Sequence, residues 1–324
     1  MAVPNVGQQV AANWQAKVGT KPEDNITQEY TMLMNFVEGS AFKSETGGRT
    51  LIGDIEYQFN TTVEAVSDTQ TLLTTRVDVF DEWESRWKQY AGTVVMSSLE
   101  TSLNRGGNAK FPLLPGKLQN LEDSLRNQLN TDIFGDGTGF SGKAITGLQN
   151  IISSTPTTGT FQGISRVNFS FWRNQQTSGA QTTSAYDNLR AAMRTIYRAC
   201  SAGQNQSHPT YCITGMTTHA GYESLLTANE RVVAKSKEQY NAGFRLQWSM
   251  FADIPVMYDR ACSNSLMYFA NDKNLLMMYQ SGYWFKGYPA VDPANQLLEV
   301  FKVETQCQLI SNNPRRLGVI TAIT

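Results

Sequence analysis

The sequence has few of the residues on which most enzyme sites depend. Of its 324 residues only two are histidines, His208 and His219, and only four are cysteines. Zinc sites and thiol–imidazole pairs need such residues at short, regular spacings, which this chain does not have. The cysteines, at positions 200, 212, 262 and 307, are therefore expected to be small buried core residues with no ligand or disulfide role.

Charge and long apolar runs are scarce as well. Charged residues make up 17% of the chain and the formal net charge is −1, which excludes the strongly basic class of nucleic-acid-binding proteins. No apolar run approaches the ~18 residues of a membrane helix, and Met1–Asn5 does not resemble the start of a secretory signal. Neutral polar residues take the place of charge, since roughly 30% of the chain is Asn, Gln, Ser or Thr.

The few charges are unevenly distributed. Residues 45–90 contain nine acidic and four basic side chains, a net charge of −5, so that the rest of the chain is +4. Apolar and polar residues alternate around Ile55 and Tyr57, and again around Val77 and Val79, which predicts a long two-stranded hairpin. A solvated hairpin with no further role is the alternative interpretation of this acidic segment.

Two helices are predicted before residue 140. The sequence Thr20–Glu23 has the spacing of a capping box, and apolar residues behind it predict a helix over about 21–42. A longer amphipathic helix is predicted over about 112–134, because apolar residues recur there every three or four positions. These residues are Leu114, Leu118, Leu121, Leu125, Leu129 and Ile133. The spacing of Trp83, Trp87 and Tyr90 fits a helix or a strand equally well.

The C-terminal half has an α/β pattern. Helices are predicted from Ser184 to Cys200 and over about 217–226, and strands over about 210–214, 254–258 and 266–270. Residues 301–309 alternate strictly between apolar or small and polar side chains. This alternation predicts a long strand that is buried on one face only.

One segment resembles a nucleotide-binding motif. Gly137–Lys143 satisfies the P-loop pattern G-x-x-x-x-G-K, but Ala144 stands where a Ser or Thr would bind Mg²⁺. The segment also follows a helix, whereas a P-loop follows a strand. We interpret it as a glycine-rich connector and predict no catalytic, cofactor-binding or metal-binding residue, and hence no enzyme.

Four segments, in order, resemble the major capsid protein of tailed bacteriophages. They are GGRTLIGDIEYQFNTTVEAVSDTQTLLTT, WKQYAGTVVMSSLE, LEDSLRNQLNTDIFGDGTGFSGKAITGLQNII, and the pair YFANDKNLLMMYQSGYWF and VFKVETQCQLISNNPRRLGVITAI. They resemble, respectively, the extended loop, its return strand, the end of the spine helix, and the axial domain with the closing strands. The resemblance covers about residues 45–324.

The resemblance implies an α+β fold of the Hong Kong 97 type, divided into five parts. These are an N-terminal arm and first helix (1–44), an extended β-hairpin loop (45–92), a peripheral domain with the spine helix (93–183), an α/β axial domain (184–300) and closing strands that return to the peripheral domain (301–324). It also implies hexamers and pentamers of an icosahedral shell that encloses double-stranded DNA. The implied location is the virion, assembled in the host cytoplasm.

The same resemblance implies partners. Portal, scaffolding and decoration proteins are expected, together with weak, non-specific contact with the packaged DNA. The chain shows no charged helical scaffolding segment, so scaffolding is expected from a separate protein or not at all. Cross-linking through a loop lysine is not expected, because no Lys lies between Lys43 and Lys88. A tail-tube or connector protein is the alternative function.

The acidic segment is the predicted contact with a neighbouring copy, because it combines carboxylates with tryptophans that suit an interface. The candidate contact residues are Asp78, Asp81, Glu82, Trp83, Glu84 and Trp87, with Arg105, Lys110 and Lys117 as the basic counter-surface. With few core-forming side chains, this segment is not expected to fold back on its own domain.

Overall fold

The computed structural model describes residues 30–103, 113–180, 188–201, 208–225, 249–252 and 254–323. The strands in chain order are β1 (Phe42–Glu45), β2 (Thr50–Glu56), β3 (Phe80–Arg86), β4 (Lys88–Ser97), β5 (Thr160–Phe161), β6 (Ile164–Ser165), β7 (Gln175–Ser178), β8 (Tyr211–Thr214), β9 (Ser249–Phe251), β10 (Ile254–Tyr258), β11 (Met267–Ala270), β12 (Leu275–Gln280), β13 (Lys286–Val291), β14 (Leu298–Ser311) and β15 (Gly318–Thr321). The α-helices are α1 (Thr31–Glu38), α2 (Ser98–Leu103), α3 (Leu113–Ile133), α4 (Leu148–Ile151), α5 (Leu189–Cys200) and α6 (Met216–Leu225).

Two sheets organise the described residues. The first has five strands in the order β1-β12-β14-β13, with β4 paired to the other edge of β14. The second has six strands in the order β7-β15-β11-β8-β10-β9. Both sheets combine strands from distant parts of the chain, and β15, at the C-terminal end, lies between β7 and β11. The five-part division of the chain stays a prediction.

The core is continuous between the two sheets. Buried side chains of α1 and α3 join one face of the six-stranded sheet to the interior of the five-stranded sheet. A second cluster fills the other face of the six-stranded sheet, beneath α5 and α6. The described residues therefore form both helices and strands, which confirms the α+β class predicted from the sequence.

The long helix over about 112–134 is confirmed as α3. Its C-terminal half carries the fully buried residues Leu129 and Ile133, and Leu125 is only 8% exposed. Towards its N-terminus α3 crosses β4, where Leu121 lies over Gly92: a Cβ at residue 92 would be 2.5 Å from Leu121 Cδ1. The apolar stripe thus packs against the five-stranded sheet, as its spacing indicated.

The helix predicted over 21–42 is wrong at its C-terminal end. Helix α1 ends at Glu38, and Phe42–Glu45 forms strand β1, parallel to β12; the predicted start lies outside the described residues. Phe42 stacks on Tyr279 with ring centroids 4.3 Å apart and meets the edge of Trp284 at 4.8 Å. This tertiary pairing, invisible in the local sequence, determines the change from helix to strand.

The alternation over 301–309 predicts the strand but not its environment. In β14, residues 303–311 are buried on both faces except Gln306, because β14 is a central strand with neighbours on both edges. Its polar residues are satisfied within the sheet: the Glu304 carboxylate accepts hydrogen bonds from Tyr288 Oη and Gln89 Nε2, both at 2.6 Å. The one-faced interpretation of this strand is therefore wrong.

The P-loop look-alike does not form a P-loop. Phe140, Ser141 and Gly142 have φ values of 53°, 59° and 80°, a left-handed turn that follows α3. A P-loop instead presents backbone N–H groups at the start of a right-handed helix. The interpretation as a glycine-rich connector agrees with this geometry.

A buried carboxylate joins α1 to the rest of the molecule. Asp259 is fully buried and accepts hydrogen bonds from the backbone N–H of Met32 at 3.1 Å and of Ala261 at 2.8 Å. Asn130 on α3 donates to both carboxylate oxygens at 3.0 Å, and its Oδ1 accepts from Leu33 N at 3.2 Å. Burial raises the pKa of Asp259, opposed by these hydrogen bonds. The N-terminus of α1 is thus capped by residues more than 90 positions away.

We predict that Leu129→Ala lowers the free energy of unfolding of the unassembled subunit by about 2–5 kcal/mol, because it opens a cavity in a fully buried site. Leu114→Ala, on the same helix but only half-buried, is the matched control and should cost less than about 1 kcal/mol. Denaturant titration measures both. Equal costs for the two variants would contradict the assigned packing of α3.

We also predict that Asp259→Ala destabilises the subunit by roughly 2–5 kcal/mol, because it leaves several buried N–H donors without an acceptor. The control is Asp136→Ala: this carboxylate is exposed and accepts hydrogen bonds from the backbone N–H and the hydroxyl of Thr138, two residues away. Its loss should cost less than about 1 kcal/mol. If thermal melting shows no difference between these variants, the α1 cap is not a stabilising contact.

Candidate assembly surfaces

The antiparallel register of β2 and β3 separates the acidic hairpin into two faces. On the inner face, Leu51, Ile55 and Trp83 are each at most 8% exposed and belong to the main core. On the outer face, Asp54 lies directly opposite Glu82. Two carboxylates opposite one another on a sheet repel, so this face is suited to a partner that brings positive charge.

The base of the hairpin does fold against its own chain, contrary to the prediction. Glu84 N donates to Gln162 O at 3.1 Å, and just beyond the end of β2 the rings of Tyr57 and Phe171 lie 5.7 Å apart. Trp83 packs so closely on Gly53 that a Cβ at residue 53 would be 2.5 Å from its ring. The apolar side chains of Leu51, Ile55 and Trp83 pack the base of the hairpin against the core, although the segment as a whole is polar.

The predicted contact residues of the hairpin differ in exposure. Asp81, Glu82 and Glu84 are exposed, and so is Asp78, which forms an ion pair with Arg76 at 3.3 Å. Trp83 is 4% exposed in the single chain, so its indole is already used by the core and offers no surface to a neighbouring chain. Trp87 is half-buried against the same core.

The predicted basic counter-surface is not assembled by the described residues. Lys117 forms an ion pair with Glu100 of its own chain at 3.1 Å. Arg105 and Lys110 lie outside the described residues. The contact role of the nine candidate residues stays a prediction, with Trp83 and Lys117 already engaged within the chain.

Sequence reasoning missed the exposed apolar side chains between the two strands of the hairpin. We call residues 57–79 the hairpin tip. It contains no strand, and it exposes Phe59 by 90%, Val63 by 84%, Leu72 by 63% and Leu73 by 54%. Surface patches of this kind usually mark contacts with other molecules. The signal was present as apolar residues flanked by threonines, but the alternation suggested that they would pair within the hairpin.

An open groove of about 400 Å³ lies between β4 and α3. Its walls include Val94, Val95, Leu113 and Leu121, with Lys117 at the rim. Strand β4 forms one edge of its sheet, since its one strand partner is β14. The groove is therefore a second apolar surface, on the body of the subunit.

The four cysteines and His219 lie in the interior of the described part of the chain. No group of three His, Cys, Asp or Glu among the described residues is arranged to hold a metal ion. All four cysteines are buried in the core, as predicted, and burial raises the pKa of their thiols, which keeps them protonated. His219 is buried with its Nε2 3.1 Å from Val256 O, and burial lowers its pKa. Within the described part of the chain, no helix is long and apolar enough to span a membrane.

No protein-family model matches the sequence, and no curated protein matches it. Solved structures, in contrast, match nearly the whole chain. The capsid asymmetric unit of cyanophage A-1(L) is 17% identical with a TM-score of 0.71, and the match covers 96% of this chain and 97% of that chain.

Two further structures share the architecture at 10% identity. The capsid of a native GTA particle has a TM-score of 0.60 over 96% of this chain and 95% of its own. The holo-SrpI encapsulin complex from Synechococcus elongatus PCC 7942 has a TM-score of 0.61 over 100% of this chain and 96% of its own. The chain therefore has the fold of shell-forming subunits. It is the Hong Kong 97-type capsid fold, which confirms the fold predicted from the sequence.

Proposed function

We propose that the chain is the major capsid protein of a tailed bacteriophage, which assembles into hexamers and pentamers of an icosahedral shell around double-stranded DNA. The observation that carries this proposal is the end-to-end match to a cyanophage capsid subunit at a TM-score of 0.71. A match that covers 97% of that subunit leaves no large part of the capsid architecture without a counterpart here. No non-capsid activity is needed to explain the chain, and a structural, non-enzymatic role follows from the proposal.

Self-association is supported by the surfaces of the single chain. The hairpin tip exposes large apolar side chains, and the groove beside β4 offers an apolar surface elsewhere on the same molecule. Two different complementary patches on one subunit make a head-to-tail contact, and such contacts close into rings. Rings of this kind are the capsomers that the proposal requires.

The acidic residues contribute to the same contacts. Asp54, Glu82 and Glu84 lie on the same outer face as the exposed side chains of Ile52 and Phe80, so that charge and apolar area occur together on the hairpin. Each exposed ion pair between copies is worth only about 0–1 kcal/mol. Repetition around every capsomer adds these small terms through avidity.

Further partners belong to the proposal. The shell would take a portal at one vertex, scaffolding during assembly and decoration proteins on its outside, and it would be found in the virion after assembly in the host cytoplasm. DNA contact would be weak and independent of sequence, since a chain with net charge −1 neutralises few phosphates.

Sedimentation velocity and negative-stain microscopy of the purified chain test the proposal. Closed shells support it, whereas tubes or isolated rings would favour the tail-tube or connector alternative. The encapsulin match over the whole chain favours a second candidate, a shell that is not a virion. Nucleic acid in particles from phage-producing cells distinguishes the two, because a virion shell encloses DNA.

We predict that Leu72→Asp combined with Leu73→Asp abolishes shell formation without changing the melting temperature. Both side chains are more than half exposed, so the fold does not need them, while an apolar contact between copies would. The matched control, Thr74→Asp with Thr75→Asp, adds the same charge to neighbouring exposed residues and should assemble. Normal shells from the leucine variant would show that the hairpin tip is not a contact.

We predict separately that Asp81→Lys combined with Glu82→Lys slows or abolishes shell formation while the subunit stays folded, as measured by circular dichroism and light scattering. Asp292→Lys with Glu299→Lys changes the net charge equally at other exposed positions and should have a smaller effect. If the two pairs behave alike across a range of salt concentrations, the hairpin carboxylates have no specific partner.

A further inference from the structure

A stripe of arginines runs along the outer face of α5. Arg190, Arg194 and Arg198 follow one another at intervals of four residues, which places them on one side of the helix. Arg194 and Arg198 are exposed, and Arg190 is half-exposed. With a rise of ~1.5 Å per residue, successive arginines are about 6 Å apart along the helix axis. The opposite side of α5 is fully engaged with the six-stranded sheet through Leu189, Met193 and Ile196, among others.

A second pair of arginines lies beside this helix. The 3₁₀ turn Pro314–Arg316 packs against α5 and β7, and it carries the exposed Arg315 and the half-exposed Arg316. The start of β15 then passes directly beneath α5, where a Cβ at Gly318 would be 2.7 Å from Cys200 Sγ. We call Arg190, Arg194, Arg198, Arg315 and Arg316 the arginine surface.

The two segments that build this surface carry a positive net charge in the sequence. Residues 189–200 and 312–323 contain five arginines and no Asp or Glu. The ion pairs found in the described part of the chain involve Arg76, Lys117 and Arg126, and none uses Arg194, Arg198, Arg315 or Arg316.

A nearby acidic residue, Asp272, does not change this picture. The turn at 271–274 adjoins the 3₁₀ turn, since Asn312 N donates to Asn274 O at 3.1 Å. The Asp272 carboxylate accepts a hydrogen bond from Thr210 Oγ1 at 3.0 Å instead of pairing with an arginine. The same turn adds one more exposed cation, Lys273. Six cations, the five arginines and Lys273, thus belong to neighbouring segments of a chain whose net charge is −1.

We infer that the arginine surface binds the phosphate backbone of the double-stranded DNA that the shell encloses, an inference that rests on the proposed function. Guanidinium groups form paired hydrogen bonds with phosphate oxygens and keep their charge at any physiological pH. A row of guanidinium groups about 6 Å apart can contact several phosphates of one duplex at the same time, because duplex DNA carries one charge per ~1.7 Å of its axis.

The neighbouring residues favour nucleic acid over a second protein chain. Between the arginines, α5 exposes the small side chains Ala191, Thr195 and Ala199, while Tyr197 is half-buried and stacks on His208. Protein interfaces depend on large apolar or aromatic anchors, and none of the large apolar side chains exposed in the described part of the chain lies on α5 or on the 3₁₀ turn. Backbone binding needs no such anchors and reads no sequence, which fits a surface of guanidinium groups on a flat helix.

Salt dependence tests the inference with the full-length chain. The variant Arg194→Gln/Arg198→Gln/Arg315→Gln removes three exposed charges, and fluorescence anisotropy with a labelled duplex of mixed sequence measures affinity over a series of KCl concentrations. The slope of log K against log[salt] should decrease by about 2.7, since each phosphate contact contributes ~0.9. The matched control, Arg49→Gln/Arg76→Gln/Arg86→Gln, removes three exposed charges from the hairpin and should leave the slope unchanged.

An unchanged slope in the α5 variant, or an equal decrease in the control, overturns the inference. So does a variant that keeps its DNA affinity but no longer forms shells, because the arginines would then contact another copy. If the triple variant does not fold by circular dichroism, Arg194→Gln alone should lower the slope by about 0.9. Sedimentation separates the two claims: a wild-type chain that binds DNA through these arginines but forms no shell contradicts only the proposed function.

Discussion

Strand β14 is the constraint on which the rest of the structure depends. Along one edge it pairs with β4 over residues 298–307, and along the other with β13 and then β12. It therefore joins segments separated by about 200 positions, and it is buried on both faces through most of its length. Its pairs with β13 and β12 are local in sequence, whereas its pair with β4 is long-range, and long-range pairs of this kind slow folding.

The polar residues of β14 connect it to the parts that project from the body. Gln308 accepts a hydrogen bond from Thr146 N at 3.1 Å and donates to Ser85 Oγ at 3.1 Å, next to the hairpin base. Tyr90, on the adjoining strand, donates to Asp132 at 2.7 Å and accepts from Ile145 N at 3.0 Å. The hairpin, the end of α3 and the sheet thus meet in one satisfied polar network, which holds the hairpin at a defined angle to the body.

The surfaces outside this core differ from one another in charge and in apolar character. The hairpin carries acidic and apolar side chains, the groove beside β4 is mainly apolar, and the face of α5 carries arginine without acids. A subunit with net charge −1 can hold such contrasting surfaces without strong repulsion between copies. Weak contacts distributed in this way become strong only when they are repeated, which is the condition that a shell provides.

The sequence by itself determined the elements whose signals are local. The leucine stripe of α3 and the alternating strand near the C-terminus follow from the period of apolar residues. The order of segments also carried the capsid resemblance. Only the tertiary structure decided that Phe42–Glu45 is a strand, that β14 is buried on both faces, and that Trp83 lies in the core while Leu72 and Leu73 do not. Each of these depends on which distant segment covers a residue, and periodicity describes only the residue's near neighbours along the chain.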